Sequence, residues 1–308
     1  MPVALFAAVL WRYIDTNKER KKIRQAFGYF LPDNIVDDLA HNLSLGKSSQ
    51  QLNIGTCMAT DAEKYTELSE NMTPNALGKL MNRYYEILFL PVKQHKGFVS
   101  DIVGDAMMAI WTSPQSDREH RRRACAAAVD MTINLQQFDP SSEHAGLPTR
   151  IGLHSGEILL GNIGAVNHYE YRAVGDTVNT ASRIQGLNKQ LGTHLLVSED
   201  VIDELDEFLT RKLGVFLLVG KNKPIVIYEL LNTRRNASAK QKSLCKDFAQ
   251  AYELFQNQSW AEAKDKFSQT TKEYNNDGPS QYYIRLCKKH IDHPPASPWN
   301  NVIIVDKK

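Results

Sequence analysis

Three things are scarce in this sequence of 308 residues. Cysteine is one: Cys57, Cys125, Cys245 and Cys287 lie far apart, with no CxxC pair. That spacing excludes a disulfide framework and a thiolate zinc site, and reads as reduced thiols in a cytosolic compartment. Net charge is the second. Lys and Arg number 37 against 35 Asp and Glu, a balance of +2, so no bulk field favours nucleic acid or an acidic substrate. Long apolar runs are the third. Met1 to Trp11 is apolar but well short of the about 20 residues that span a bilayer. What is present is an ordinary globular mix, 42% hydrophobic and 23% charged, enough for one large domain or two small ones.

The apolar start has no basic stretch before it and no clear cleavage site, which argues against a signal peptide. Two readings stay open for residues 1–14: the apolar end of a membrane helix, or a short anchor or buried helix start. The basic residues that follow, Arg12, Lys18, Arg20, Lys21, Lys22 and Arg24, suit a cytoplasmic membrane flank and a solvated helix face equally. Residues 15–50 read as a helical linker.

From residue 51 onward, strands alternate with helices. Leu52–Thr60 is a strand candidate. Thr73-Pro74 is a helix start, with Thr as N-cap and Pro in the first turn; Leu77, Leu80, Met81, Tyr84, Tyr85, Leu88 and Val92 follow at helical spacing. Phe98–Val103 and Ala106–Trp111 flank Gly104-Asp105 as a hairpin. Arg118–Phe138 is a second helix, Thr149–His154 and Tyr169–Val174 are strands, and Thr177–Leu191 is a third helix. Strands at 194–197, 214–219 and 225–231 close the region. The fold class is α+β: a ferredoxin-like βαββαβ arrangement with extra C-terminal strands and a small helical tail.

Within that order, four segments carry chemistry. Asp61 sits where a strand gives way to a loop, and Asp105 at a hairpin tip; on this topology the two carboxylates can lie side by side, a pair suited to Mg²⁺. Taken singly, each is a common turn or cap residue. Asn179 and Arg183 stand at i and i+4 on one helix face, where Arg can fork onto phosphate oxygens and Asn can hold a sugar. Arg150-Ile-Gly-Leu-His-Ser-Gly-Glu157 with Gly161-Asn-Ile-Gly164 calls for tight turns or close backbone approach. His154 reads as a strand-end histidine with a satisfied hydrogen bond.

These segments, in this order and spacing, resemble the catalytic domain of class III nucleotidyl cyclases over about residues 51–232. The flanks, including Arg24-Gln-Ala-Phe-Gly-Tyr-Phe-Leu-Pro32, resemble bacterial membrane cyclases with a CHASE2 sensor. The resemblance implies an adenylate cyclase making cyclic AMP and pyrophosphate from ATP in signal transduction. Asp61, Asp105 and the Ala62 carbonyl would hold two Mg²⁺ or Mn²⁺ per site; Asn179 would orient the ribose, Arg183 would stabilise the α-phosphate, and Lys221 would meet the β- and γ-phosphates. The family often has Lys-Gly-Lys where this chain has Val219-Gly-Lys221. It also implies a homodimer with sites at the interface, since the metal carboxylates and the Asn/Arg pair come from different chains. The catalytic domain would lie in the cytoplasm, at the inner face of the membrane.

Base choice departs from the family pattern. Adenylate cyclases usually carry Lys and guanylate cyclases Glu where this chain has Asp101; the partner position holds Arg172. The two are expected to pair near the base pocket. A guanylate cyclase and a catalytically silent dimeric module are the alternatives.

After Asn232 the composition changes. Residues 233–247 are polar and rich in Ser, Ala and Lys, a linker by composition. Residues 248–308 read as amphipathic helices resembling one tetratricopeptide unit, with a last strand at 302–305. A single unit cannot bury its own face, so it is expected to pack on the main domain or on a partner.

Overall fold

The computed structural model describes residues 50–112, 117–136, 147–165 and 168–305. The readings of the apolar start and the basic helix fall on residues 1–49, outside that range. Among the described residues no helix is long and apolar enough to cross a membrane.

The first strand, β1 (Gln51–Ala62), alternates between two faces. Met58 and Ala62 enter one core, while Cys57 and Ala59 enter another on the opposite side. After the short α1 (Tyr65–Asn71), α2 (Pro74–Gln94) starts where the Thr73 hydroxyl accepts the Ala76 N–H, with Pro74 in the first turn. Then come β2 (Phe98–Val103), β3 (Ala106–Thr112), α3 (Asp117–Gln136) and β4 (Thr149–Ala165). Their sheet order is β2-β3-β1-β4, all antiparallel. This is the expected ferredoxin-like core. Tyr84, Leu88, Trp111 and Ala128 fill the face under α2 and α3.

The chain continues through β5 (His168–Val174), which folds back on β4, and α4 (Asp176–Leu191). The strands β6 (Leu195–Ser198), β7 (Phe208–Leu217) and β8 (Ile225–Thr233), with the one-turn α5 (Glu199–Ile202) after β6, extend the sheet in the order β4-β6-β8-β7. β4 is much longer than the strand expected at 149–154. Its glycines belong to extended backbone: Gly161 pairs with Arg172 and Gly164 with Tyr169. Close approach rather than turning explains Gly152, because a Cβ there would sit 2.1 Å from the Gln185 nitrogen. α4 therefore lies directly on β4. β7 also begins before the expected residue 214, since charged Arg211 and Lys212 disguise the strand.

The tail comprises α6 (Ala239–Gln256), α7 (Trp260–Glu273), α8 (Gly278–Asp292) and β9 (Val302–Ile304). α6 starts inside the stretch read as a linker. A reciprocal capping box between Ser238 and Gln241 nucleates it, and Lys, Gln and Ala are good helix formers despite their polar look. The tail packs on the main domain. Phe248, Phe255, Phe267 and Tyr283 are fully buried with Ile184, Leu187 and Leu191 of α4 and Leu213 and Phe216 of β7. Each such ring contributes about 1.5–3 kcal/mol. β9 adds a parallel edge strand to β7.

Candidate active site

Two clusters and one ion pair hold all the candidate residues. The first cluster joins the end of β1 to the β2–β3 hairpin. Asp105 turns back from the hairpin tip, and its Oδ2 accepts the Ala62 N–H at 2.9 Å. Asp61 faces Asp105. Burial raises the Asp61 carboxyl above the usual carboxylate range, the Asp105 charge raises it further, and the Arg150 guanidinium partly offsets both. Two facing carboxylates, one of them reluctant to ionise, are the donor set that a divalent cation relieves. Among the described residues no group of three or more His, Cys, Asp or Glu could hold a metal. Two facing carboxylates are hard oxygen donors of the kind a divalent cation takes.

Tyr85 of α2 steadies this hairpin by donating its hydroxyl to the Gly104 carbonyl. Sequence reading gave Tyr85 only a core role, because it sits within an apolar helical stripe. No local signal marks it as a hairpin brace.

The second cluster is α4 and the turn between β7 and β8. Asn179 is exposed on α4 and Arg183 is half-buried one turn on. The Arg183 Nη1 is buried and has no acceptor among the described residues. Its Nη2 lies where a side chain on Gly220 would stand, 3.2 Å from a Cβ built there. Gly220 also has φ +68, so the turn needs glycine twice over. Lys221 follows. Its ammonium is ion-paired with Asp176 and donates to the Thr180 Oγ1 at 2.9 Å. The Lys221 hydrogen bond holds the Asp176 carboxyl below its ordinary range.

Asp101 of β2 and Arg172 of β5 are ion-paired as expected, and Arg172 also reaches Glu170 at 3.3 Å. The pair is about one-third exposed on each side (38% and 30%). His154 fulfils its structural reading, since its Nδ1 is 2.8 Å from the Ser198 hydroxyl. It lies within β4, however, and not at a strand end.

Thr177 packs on Gly156, and Ala181 and Gln185 pack on Gly152, which places Asn179 level with about His154. His154 pairs with Cys57, four residues before Asp61 on β1. At about 3.3 Å per residue Asn179 is offset from Asp61 by roughly 13 Å along the strand, while Arg183, between Ala181 and Gln185, is level with Gly152, which pairs with Ala59 two residues from Asp61.

The mixed sheet of this order is the fold that the resemblance implies. The family pattern of the adenylate and guanylate cyclase catalytic domain matches residues 48–232, and the chain belongs to that family. Adenylate cyclase 1 of Rhizobium meliloti is 30% identical over 213 residues, covering 68% of this chain and 32% of that protein. The adenylate cyclase of Anabaena cylindrica is 30% identical over 227 residues, covering 68% of this chain and 43% of that protein. The chain therefore spans less than half the length of these curated relatives. The crystal structure of the adenylyl cyclase CyaB from P. aeruginosa superposes with a TM-score of 0.55 at 25% identity, covering 62% of this chain and 100% of that one.

Proposed function

We propose that this chain is an adenylate cyclase, converting ATP to cyclic AMP and pyrophosphate in a homodimer. The observation that carries the reading is the pairing of Asp61 with Asp105 at the end of β1, in a chain that also presents Asn179 and Arg183 on one helix. Asp61, Asp105 and the Ala62 carbonyl would hold two Mg²⁺ or Mn²⁺. When bound, such ions lower the pKa of the ribose 3′-hydroxyl and neutralise the triphosphate.

The chain's own groups do the rest. Asn179 orients the ribose by hydrogen bonds. Arg183, with a buried nitrogen lacking an acceptor, supplies positive charge where it builds at the α-phosphate during in-line attack. Lys221 exchanges Asp176 for the β- and γ-phosphates. The offset of roughly 13 Å between Asn179 and Asp61 along the strand supports assembly of each site from two copies, with Asp61 and Asp105 from one and Asn179 and Arg183 from the other.

ATP is favoured over GTP because both curated relatives above are adenylate cyclases. The Asp101–Arg172 pair favours keeping a guanylate cyclase as the second reading, because an Arg guanidinium can donate to guanine O6. The catalytic domain is proposed to lie in the cytoplasm, at the inner face of the membrane. The test is cyclase activity of the purified chain with ATP or GTP, in Mg²⁺ and in Mn²⁺, beside Asp105→Ala. Cyclic AMP that disappears in the variant supports the proposal. Cyclic GMP alone overturns the choice of base. No product from a dimeric chain points to a silent signalling module.

A further inference from the structure

The helical tail grips the same two elements that form the second cluster. Arg211 of β7 is 2% exposed and lies opposite Glu229 of β8. Its Nε donates to the Glu229 Oε2 at 2.9 Å, while its Nη1 lies 2.9 Å from both oxygens of Asp277. Asp277 precedes α8 and also caps it, accepting the Ser280 N–H at 3.0 Å. One carboxylate thus joins the start of a tail helix to β7, next to the edge of the sheet, with the guanidinium 4.7 Å from the centre of the Phe248 ring.

The next residue touches α4 itself. A Cβ on Gly278 would lie 2.5 Å from the carbonyl oxygens of both Leu191 and Gly192. The N-terminus of α8 therefore abuts the C-terminus of α4, and opposite ends of two helix dipoles face each other. Farther along α8, the Tyr283 hydroxyl donates to the Leu213 carbonyl of β7. Finally, β9 pairs with Val215–Leu217, and the Val305 N–H donates to the Leu217 carbonyl at 3.1 Å. The turn bearing Gly220 and Lys221 begins at the very next residue.

We propose that the tail is a clamp that sets the position of α4 and of the Lys221 turn, with Asp277 and Gly278 as positioning residues for the nucleotide half of the site. The proposal rests on the cyclase reading for its kinetic consequence, but not for its structural one. Asn179 and Arg183 stand on a helix fixed at one end by Asn188, which donates to the Ile151 carbonyl at 2.9 Å, and by Gly278. Lys221 stands on a turn fixed by β9. Loosening the clamp moves groups that meet the nucleotide and leaves Asp61 and Asp105, on the other cluster, in place.

The test uses the full chain with Asp277→Asn, which keeps a capping oxygen but removes the charge, and with Gly278→Ala. Hydrogen exchange should quicken about tenfold or more in 176–191 and 213–221, with 51–62 and 74–94 unchanged. With ATP and Mn²⁺, KM for the nucleotide should rise several-fold while the Mn²⁺ concentration for half activity stays fixed. Faster exchange confined to the tail, or spread evenly with a fall in apparent kcat at constant KM, overturns the clamp. If the unaltered chain forms no cyclic nucleotide, the cyclase reading fails while the exchange pattern still decides the clamp.

Discussion

The Asp105 carboxylate accepts a hydrogen bond from the backbone N–H of Ala62 at 2.9 Å, tying the β2–β3 hairpin tip to the end of β1. Asp105 thus has a structural partner as well as a role proposed at the metal. Asp105→Asn keeps an acceptor for Ala62 and loses the charge. We expect its melting temperature to stay close to that of the unaltered chain, while cyclase activity falls at least about a hundredfold, the scale of losing one preorganised electrostatic group. Calorimetry beside a cyclic-nucleotide assay checks both halves. Chelation of divalent ions should abolish activity, and Mn²⁺ should restore it.

The proposed two-copy site predicts complementation. Asp105→Ala and Arg183→Ala chains should each be inactive. Mixed and allowed to exchange partners, they should recover about a quarter of the normal activity, since half the dimers are mixed and each has one whole site. Absence of any recovery in a demonstrably exchanged mixture would argue for sites formed within one chain.

The Asp101–Arg172 pair predicts a non-additive pattern. Removing Arg172 takes the paired cation from the partly buried Asp101, removing Asp101 leaves Arg172 to Glu170 alone, and removing both leaves neither charge behind. The double variant Asp101→Ala/Arg172→Ala should bind nucleotide better than the worse single variant. Titration of ATP and GTP into all four proteins measures the coupling, and equal losses that simply add would exclude it.

Gly152→Ala should weaken the fold. A Cβ at this position meets backbone atoms of α4 at 2.1 to 2.6 Å, so the helix must lift from β4. A loss of about 1–3 kcal/mol in urea unfolding is the expected cost of such overpacking.

His120 gives a pH signature. Its ring is 2% exposed, and burial lowers its pKa from 6.5 to about 4. The unfolded chain therefore takes up a proton between about pH 6.5 and 4 that the folded chain refuses. Stability conferred by the neutral ring is full above 6.5 and declines as pH falls towards 4. His120→Leu should lose that part of the slope, which urea midpoints across this range would reveal.

Much of this protein is written in local sequence. Hydrophobic period, the Thr73-Pro74 start and the Gly104-Asp105 turn determined the order of the ferredoxin-like elements, because each signal acts within a few residues. The same is true of the Asn179/Arg183 spacing, whereas Asp61 and Asp105 become a pair only through the sheet that joins β1 to the hairpin. The tertiary structure decided what depends on distant segments meeting. Tyr85 braces the hairpin, Arg211 finds Asp277 across 66 residues of chain, and Gly278 meets the end of α4. None has a local pattern, since a buried charge in a strand and a glycine after an Asp look like breaks until the surfaces they join are known. The tail's composition likewise could not say what it covers. Only packing showed that its aromatic face belongs to α4 and β7, where it closes a core that the main domain leaves open.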